Sequence, residues 1–221
     1  MRAVLPLSGG VDSTVLAHYL AQRQSQRVHA VTFRYGQRHA DREIAAAART
    51  AKRLCLLHTV IDLHPAIFAE TALTGFGEVP WLPTSDVKGT APVVVPGRNT
   101  VFLTCAAAVA AREGISTVYF AAHMGDAASF PDARPGYLAA LNSLLKVADM
   151  GVEVIGPFMR RTKTEIVQMG AEMGVKWEDS YSCYQGGPEH CGKCGACQGR
   201  IEAFAAAGVE DTAAHRYGTV R

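Results

Sequence analysis

The chain has almost no net charge: 22 Lys and Arg stand against 20 Asp and Glu over 221 residues, leaving +2. The two signs are interspersed, so the bulk electrostatics offer no grip on DNA or RNA, and no direct nucleic-acid partner is expected. Long apolar runs are missing too. The most apolar stretch, TVFLTCAAAVAA, stops at Arg112 and is too short to span a bilayer, so no membrane contact is expected. The opening MRAVLPLSGG turns from a short apolar run straight into glycines, without the apolar region and cleavage site of a secretory signal. A cytoplasmic protein is expected, where disulfides rarely persist and clustered thiols more often hold metal. There is no Gly-Lys-Ser/Thr ending of a Walker loop and no GxGxxG spacing. No internal repeat, no low-complexity tract beyond alanine-rich helices, and no Ser-His-Asp or Cys-His constellation is found either.

What is present reads as an ordinary globular chain, 48% hydrophobic and 19% charged. Short runs at 3–7, 28–33, 56–63, 116–123 and 152–158 are rich in Val, Ile, Phe and Tyr with little polar alternation, as strands covered on both faces are. Helical segments fall between them at 12–23, 39–54, 99–113, 136–149 and 163–173, and Gly114 and Gly174 stand where left-handed helix stops are expected. This alternation predicts an α/β fold with a doubly wound parallel sheet, whose ligands sit beyond the carboxyl ends of the strands. Two connections, 64–98 and 124–135, are long and rich in proline and glycine, and either is a candidate cover for a substrate. The alternation stops near 177. The expected division is a nucleotide-binding domain at 1–176 and a cysteine-bearing segment at 177–221 with a closing helix at 195–207.

The segment LSGGVDST lies where the first strand hands over to the first helix. Gly9 and Gly10 let backbone N–H groups face an anion, the helix start adds further N–H groups, and Ser8 and Ser13 add hydroxyls. The same residues also suit a plain strand-to-helix turn capped by Asp12 or Ser13. The stretch resembles the SGGxDS pyrophosphate loop of the N-type ATP pyrophosphatase superfamily, which includes GMP synthetase, NAD synthetase, argininosuccinate synthetase and tRNA sulfurtransferases. That resemblance implies a Rossmann-like fold of the adenine nucleotide alpha hydrolase type. It places Ser8, Gly9, Gly10, Val11, Asp12 and Ser13 around the phosphates of ATP while an acceptor oxygen attacks the α-phosphate.

Further segments resemble one branch, the 7-cyano-7-deazaguanine synthases of queuosine-precursor biosynthesis. FRYGQRH at 33–39 is similar to that family's FxYGQRH, VPGRN at 95–99 to its V-P-G-R-N, and SFPDARP at 129–135 to its Y-P-D-C-R-P. By resemblance, backbone near Phe33 meets the adenine, and Arg98 and Asn99 contact phosphate or substrate. Tyr35, Gln37, His39, Asp126, Phe130, Asp132 and Arg134 bind substrate, and Ser8, Asp12, Arg98 and Lys163 serve the chemistry. Ala133 stands where the family has Cys, and Gly136 and Tyr137 replace an expected Glu-Phe pair, so no reactive thiol at 133 is available.

Read as residues alone, these positions keep plainer alternatives. Asn99 also suits a helix N-cap, His39 a surface residue in a first helical turn, and Asp126 and Asp132 turn caps. Lys163 heads a helix, where a cation is locally unfavourable unless an anion lies against it. His123 ends a strand with no assigned role, and Cys55 and Cys105 in apolar segments read as small core residues.

Four further cysteines crowd YSCYQGGPEHCGKCGAC: Cys183, Cys191, Cys194 and Cys197. Four thiolates make a closed tetrahedral site of the structural zinc type, with an iron–sulfur cluster as the rival. The Gly-Lys knuckle and the resemblance both favour zinc. The resemblance implies ATP as co-substrate, magnesium, structural zinc and a homodimer acting on 7-carboxy-7-deazaguanine and ammonia. Three rivals remain open: a sulfurtransferase, which needs a persulfide-bearing cysteine, a nucleotide sensor, and a ligase joining the deazaguanine to another amine.

Overall fold

The computed structural model describes residues 2–24, 26–81 and 92–213. Its sheet has five parallel strands: β1 (Arg2–Pro6), β2 (Arg27–Arg34), β3 (Leu57–Asp62), β4 (Thr117–Tyr119) and β5 (Glu153–Ile155), in the order β3-β2-β1-β4-β5. The central strands are apolar because helices cover both faces. Seven helices are present among the described residues: α1 (Val11–His18), α2 (Ala40–Arg53), α3 (Arg98–Arg112), α4 (Asp126–Ser129), α5 (Pro135–Val147), α6 (Lys163–Glu172) and α7 (Gly195–Ala207). One face packs Leu5 and Leu7 against Val15 and Leu16 of α1, Ala47 of α2, Ile166 of α6 and Phe204 of α7. The other packs Val4, Val31 and Val118 against Leu103 of α3 and Leu141 of α5. The expected doubly wound α/β fold is what forms.

Several expected boundaries shift. The strands expected at 116–123 and 152–158 are three residues each, and β1 meets β4 at a single pair, Val4 and Val118. The apolar run Phe120-Ala121-Ala122 lines the opening beyond the strand ends, with the Phe120 N–H still donating to the Ile155 carbonyl (2.8 Å). The first helix gives way to a π-type turn at Tyr19–Arg23. Gly114 and Gly174 do adopt left-handed backbone, with φ of +64° and +69°. Cys55 is exposed rather than core: it is left-handed at φ +53°, and the neighbouring Leu56 turns toward the apolar face in its place. Cys105 is only half-buried.

Residues 177–213 pack closely on the rest of the chain. Trp177 meets Phe204 edge-on at 4.8 Å, and α7 lies along α6. Arg200 is fully buried, forking onto Asp211 (2.7 and 2.8 Å) and donating to Ser180 Oγ (2.9 Å) and the Trp177 carbonyl (3.3 Å). A buried ion pair of this kind is costly to break from one side, about 3–5 kcal/mol. The long connection contributes Phe68, Leu73, Val79, Val93 and Val95 to a third cluster around Cys183, Cys194 and Cys197. Its central residues, 82–91, lie outside the described residues.

Candidate functional site

A cavity of about 260 Å³ opens at the carboxyl ends of β1, β2 and β4. One end is the loop between β1 and α1. Gly9 has φ +77°, and a Cβ there would stand 2.6 Å from the Ala46 Cβ and from the Ala47 nitrogen, so only glycine lets the loop lie against α2. Ser8 Oγ and Ser13 Oγ are 3.1 Å apart, and Ser13 Oγ donates to the Gly10 carbonyl. The N-cap of α1 is Gly10, with no side-chain cap. Asp12 and Ser13 thus lie inside the helix instead of capping it, and the N–H groups of the first turn stay available to an anion. The Tyr181 N–H donates to the Gly9 carbonyl (2.9 Å), tying the loop to the cysteine-bearing segment.

Around this loop stand four charged or titratable groups. Lys163 Nζ lies 3.1 Å from Asp12 Oδ2, which relieves the cation at the start of α6. Thr162 and Glu165 form a capping box that fixes that helix start. Burial pushes the Asp12 carboxyl up, but the Lys163 ammonium, backed by His123, outweighs it and holds the group below its ordinary value. Burial likewise opposes the Lys163 charge, and Asp12 with Asp126 overcomes it and raises the ammonium. Asp126 goes the other way: burial, with Asp12 nearby, lifts its carboxyl despite His123. Asp12 Oδ1 is buried and accepts no hydrogen bond from the protein.

The opposite end is aromatic. Phe33 stacks on Phe102 with centroids 4.4 Å apart and planes 11° from parallel, an arrangement worth about 0.5–1.5 kcal/mol beyond its area. Phe120, Phe130, Tyr35 and Tyr184 extend the wall. Arg98, half-buried, points Nη1 at the Tyr35 hydroxyl (3.4 Å). Burial works against its charge, and Tyr35, Tyr184 and Glu43 outweigh that and raise it. His39 is buried, not a surface residue, with Nε2 3.6 Å from Glu43 Oε1 and a buried Nδ1 that has no partner.

Ser8, Gly10, Val11, Asp12, Ser13, Phe33, Tyr35, His39, Arg98, Asn99, Asp126, Phe130 and Lys163 therefore converge on one cavity. Others do not line it. Gln37 is spent on the turn after β2, accepting from the Tyr35 N–H and donating to the Phe33 carbonyl and Glu43 Oε2. Asp132 accepts from the Asn99 N–H (3.3 Å), which lies inside α3 because Gly97 is the N-cap, so Asn99 does not cap the helix. Arg134 is exposed and donates to the Ala127 carbonyl. Ala133 lines the cavity and is 3% exposed.

The sulfurs of Cys183, Cys191, Cys194 and Cys197 all lie within 4.8 Å of one another, with Cys191 and Cys197 at 3.9 Å. A tetrahedral metal with bonds near 2.3 Å separates its sulfurs by about 3.8 Å, so the set fits one ion. Backbone N–H groups of Gln185 and Cys191 point at Cys183 Sγ, and those of Lys193 and Cys194 at Cys191 Sγ. Hydrogen bonds from Cys194 and Cys197 hold the Cys183 thiol far below its ordinary value; the same bond to Cys183 pushes Cys194 up to about 12. The bonds to Cys183 and Cys194 push the Cys197 thiol up as well, so among these three Cys183 alone is drawn toward thiolate by the protein's own groups. Ser182, Tyr184 and Ala196, interleaved with these ligands, line the cavity.

The family model described as "Queuosine biosynthesis protein QueC" matches residues 2–208. The chain belongs to the QueC family. It is 40% identical over 215 residues to the 7-cyano-7-deazaguanine synthase of Archaeoglobus fulgidus, covering 96% of this chain and 89% of that protein. It is 39% identical to the one of Paracoccus denitrificans, covering 97% and 93%. Among solved structures, the fold is similar to NMN synthetase from Francisella tularensis (TM-score 0.52, 14% identity, 99% of this chain and 87% of that one). It is also similar to a 4-thiouridine synthetase solved as an RNA complex with bound ATP (TM-score 0.53, 18% identity, 94% and 50%).

Sequence reasoning did not select Glu43, Thr32, Tyr181, Ser182 or Tyr184, which this QueC-family cavity includes. Glu43 had a signal, lying four residues after His39 on the same helix face. The others reach the cavity only through tertiary contacts. No helix among the described residues is long and apolar enough to cross a membrane.

Proposed function

We propose that this chain converts 7-carboxy-7-deazaguanine and ammonia to 7-cyano-7-deazaguanine, using ATP twice. The observation that carries the reading is a single cavity joining an anion-ready loop and a half-buried Lys163–Asp12 pair to a stacked aromatic wall. The phosphates of ATP lie on the Ser8–Ser13 loop, and the flat heterocycles lie against Phe33, Phe102 and Tyr35. The substrate carboxylate attacks the α-phosphorus, pyrophosphate leaves, and an acyl adenylate forms. Ammonia then forms a C–N bond as the C–O bond to AMP breaks, giving the amide. The amide oxygen is adenylated by a second ATP, and loss of AMP and a proton leaves the nitrile.

Such chemistry depends on positioning and charge neutralisation more than on a protein nucleophile. Lys163 and Arg98 neutralise developing phosphate charge, and Asp12 holds Lys163 in place. His39, Tyr35, Phe130 and Asp126 contact substrate, with Gln37, Asp132 and Arg134 supporting the turns that carry them. Magnesium suits the unpartnered Asp12 Oδ1 and, when bound, draws negative charge from the phosphates. Zinc suits the four thiols and serves as a staple, since four ligands leave it no open position. The division at 1–176 and 177–221 is proposed as one of role, nucleotide chemistry against wall and staple. The chain is proposed to act in the cytoplasm as a homodimer, without direct nucleic-acid or membrane contact.

Incubation with ATP, magnesium, ammonium and 7-carboxy-7-deazaguanine tests the reading. Release of pyrophosphate with appearance of the nitrile mass supports it. ATP binding without pyrophosphate release sinks it and leaves a nucleotide sensor.

A further inference from the structure

His123, Gly125 and Asp126 close on one another just beyond β4. The His123 backbone N–H donates to Asp126 Oδ2 (3.0 Å), and His123 Nε2 lies 3.3 Å from Asp126 Oδ1. The Asp126 N–H returns to the His123 carbonyl (3.0 Å). On the other side of the ring, the Gly125 N–H donates to His123 Nδ1 (3.0 Å). A backbone N–H can only donate, so Nδ1 offers a lone pair and the proton of the neutral ring sits on Nε2, the ring nitrogen on the Asp126 side.

Gly125 marks the same contact independently. Its backbone is ordinary, with φ −67° and ψ −28°, so no left-handed geometry calls for glycine. Space does: a Cβ at 125 would lie 2.9 Å from His123 Cε1 and 3.2 Å from Nδ1. His123 is buried and does not line the cavity, whereas Asp126 does. The side chain through which His123 touches the cavity is thus Asp126.

We infer that His123 is a positioning residue, whose backbone N–H binds Asp126 Oδ2 and whose ring Nε2 lies against Oδ1, so that together they fix the carboxylate edge that the cavity sees. The inference rests on the proposed reaction only for what Asp126 serves; the tautomer and the contact stand apart from it. Without the ring, Asp126 keeps one anchor and turns freely beside Lys163.

The test has two arms on the full chain. In the first, ¹⁵N-histidine NMR of the wild type, with the His123 signal assigned by its loss in His123→Ala, is expected to show a protonated Nε2 and a bare Nδ1. The Nε2 signal is expected to move in Asp126→Ala. A protonated Nδ1, or an Nε2 signal indifferent to Asp126→Ala, overturns the inference whether or not the chain makes the nitrile. In the second, His123→Ala and Gly125→Ala both lower kcat, roughly tenfold to a hundredfold as for loss of a group that orients a ligand, while KM for ATP holds within about twofold. His123→Gln, which can still donate to Asp126, recovers most of that loss. His123→Asn, which keeps only the acceptor for Gly125, does not. Wild-type kcat in folded His123→Ala, or equal recovery by the Asn and Gln variants, contradicts it. A wild type that makes no nitrile counts against the proposed reaction alone.

Discussion

Lys163 Nζ and Asp12 Oδ2 stand 3.1 Å apart although 151 residues separate them in the chain. The pair joins the start of α6 to the first turn of α1, beside the loop between β1 and α1. Burial discourages each charge, and each is kept by the other. Removing the cation leaves the loop facing transferred phosphate without its compensating charge. Lys163→Met is expected to lose roughly a hundredfold to a thousandfold in kcat, the scale for a lost electrostatic contact to a developing anion. The circular dichroism spectrum should stay unchanged. Pyrophosphate release at the wild-type rate from folded Lys163→Met would remove this pair from the mechanism.

The thiol cluster makes a different prediction. Ligands Cys183, Cys194 and Cys197 are buried in the cluster formed with the long connection, so a failed staple loosens packing first. Cys194→Ser should lower Tm and solubility. Because Ser182, Tyr184 and Ala196 line the cavity, the surviving folded fraction should show a raised KM before a reduced kcat. Metal analysis of the wild type should find one zinc per chain. A folded, zinc-free variant lacking only the chemical step would give the cluster a chemical role it is not assigned here.

No cysteine among the described residues lines the cavity, and Ala133 lines it without a thiol. Cys55 is exposed and Cys105 half-buried, both outside it. The double variant Cys55→Ser/Cys105→Ser should therefore turn over like the wild type, with no sulfur donor added. Loss of turnover restored by a sulfur donor would favour a persulfide mechanism.

The fold was legible where local pattern and tertiary structure agree. The loop LSGGVDST, the strand–helix alternation and the glycine stops all follow from residue type and spacing. Failures came where a long-range constraint decides. Phe120-Ala121-Ala122 has the composition of a strand, but β1 and β4 pair only at Val4 and Val118 and these residues form cavity wall. His39 reads locally as a first-turn surface residue yet is buried, with the ring of Tyr184, far along the chain, 5.7 Å from its own. Asn99 has the side chain of an N-cap, yet left-handed Gly97 starts the helix earlier. Arg200 carries the deepest buried charge, and nothing local to it marks Asp211 and Ser180 as its partners.

Stability should fall on mild acidification. Burial, with Arg53 beside it, lowers His18 from 6.5, and burial, with His29 beside it, lowers His58 from the same value. As pH drops below 6.5 the unfolded chain takes up protons at these positions before the folded chain does. Stability is therefore lost as pH falls from the unfolded value toward the folded ones. The urea midpoint should be lower at about pH 5.5 than at about pH 7.5, and His58→Gln should narrow the difference. An unchanged gap in that variant would assign the acid sensitivity elsewhere.

The central claim is that one cavity activates the same carbon twice, first as carboxylate and then as amide. The most direct measurement is the ratio of pyrophosphate released to nitrile formed, with the amide followed by mass over the same time course. The account predicts two pyrophosphates per nitrile and an amide that rises and then falls. One pyrophosphate per final product, with the amide accumulating and never converted, would contradict it.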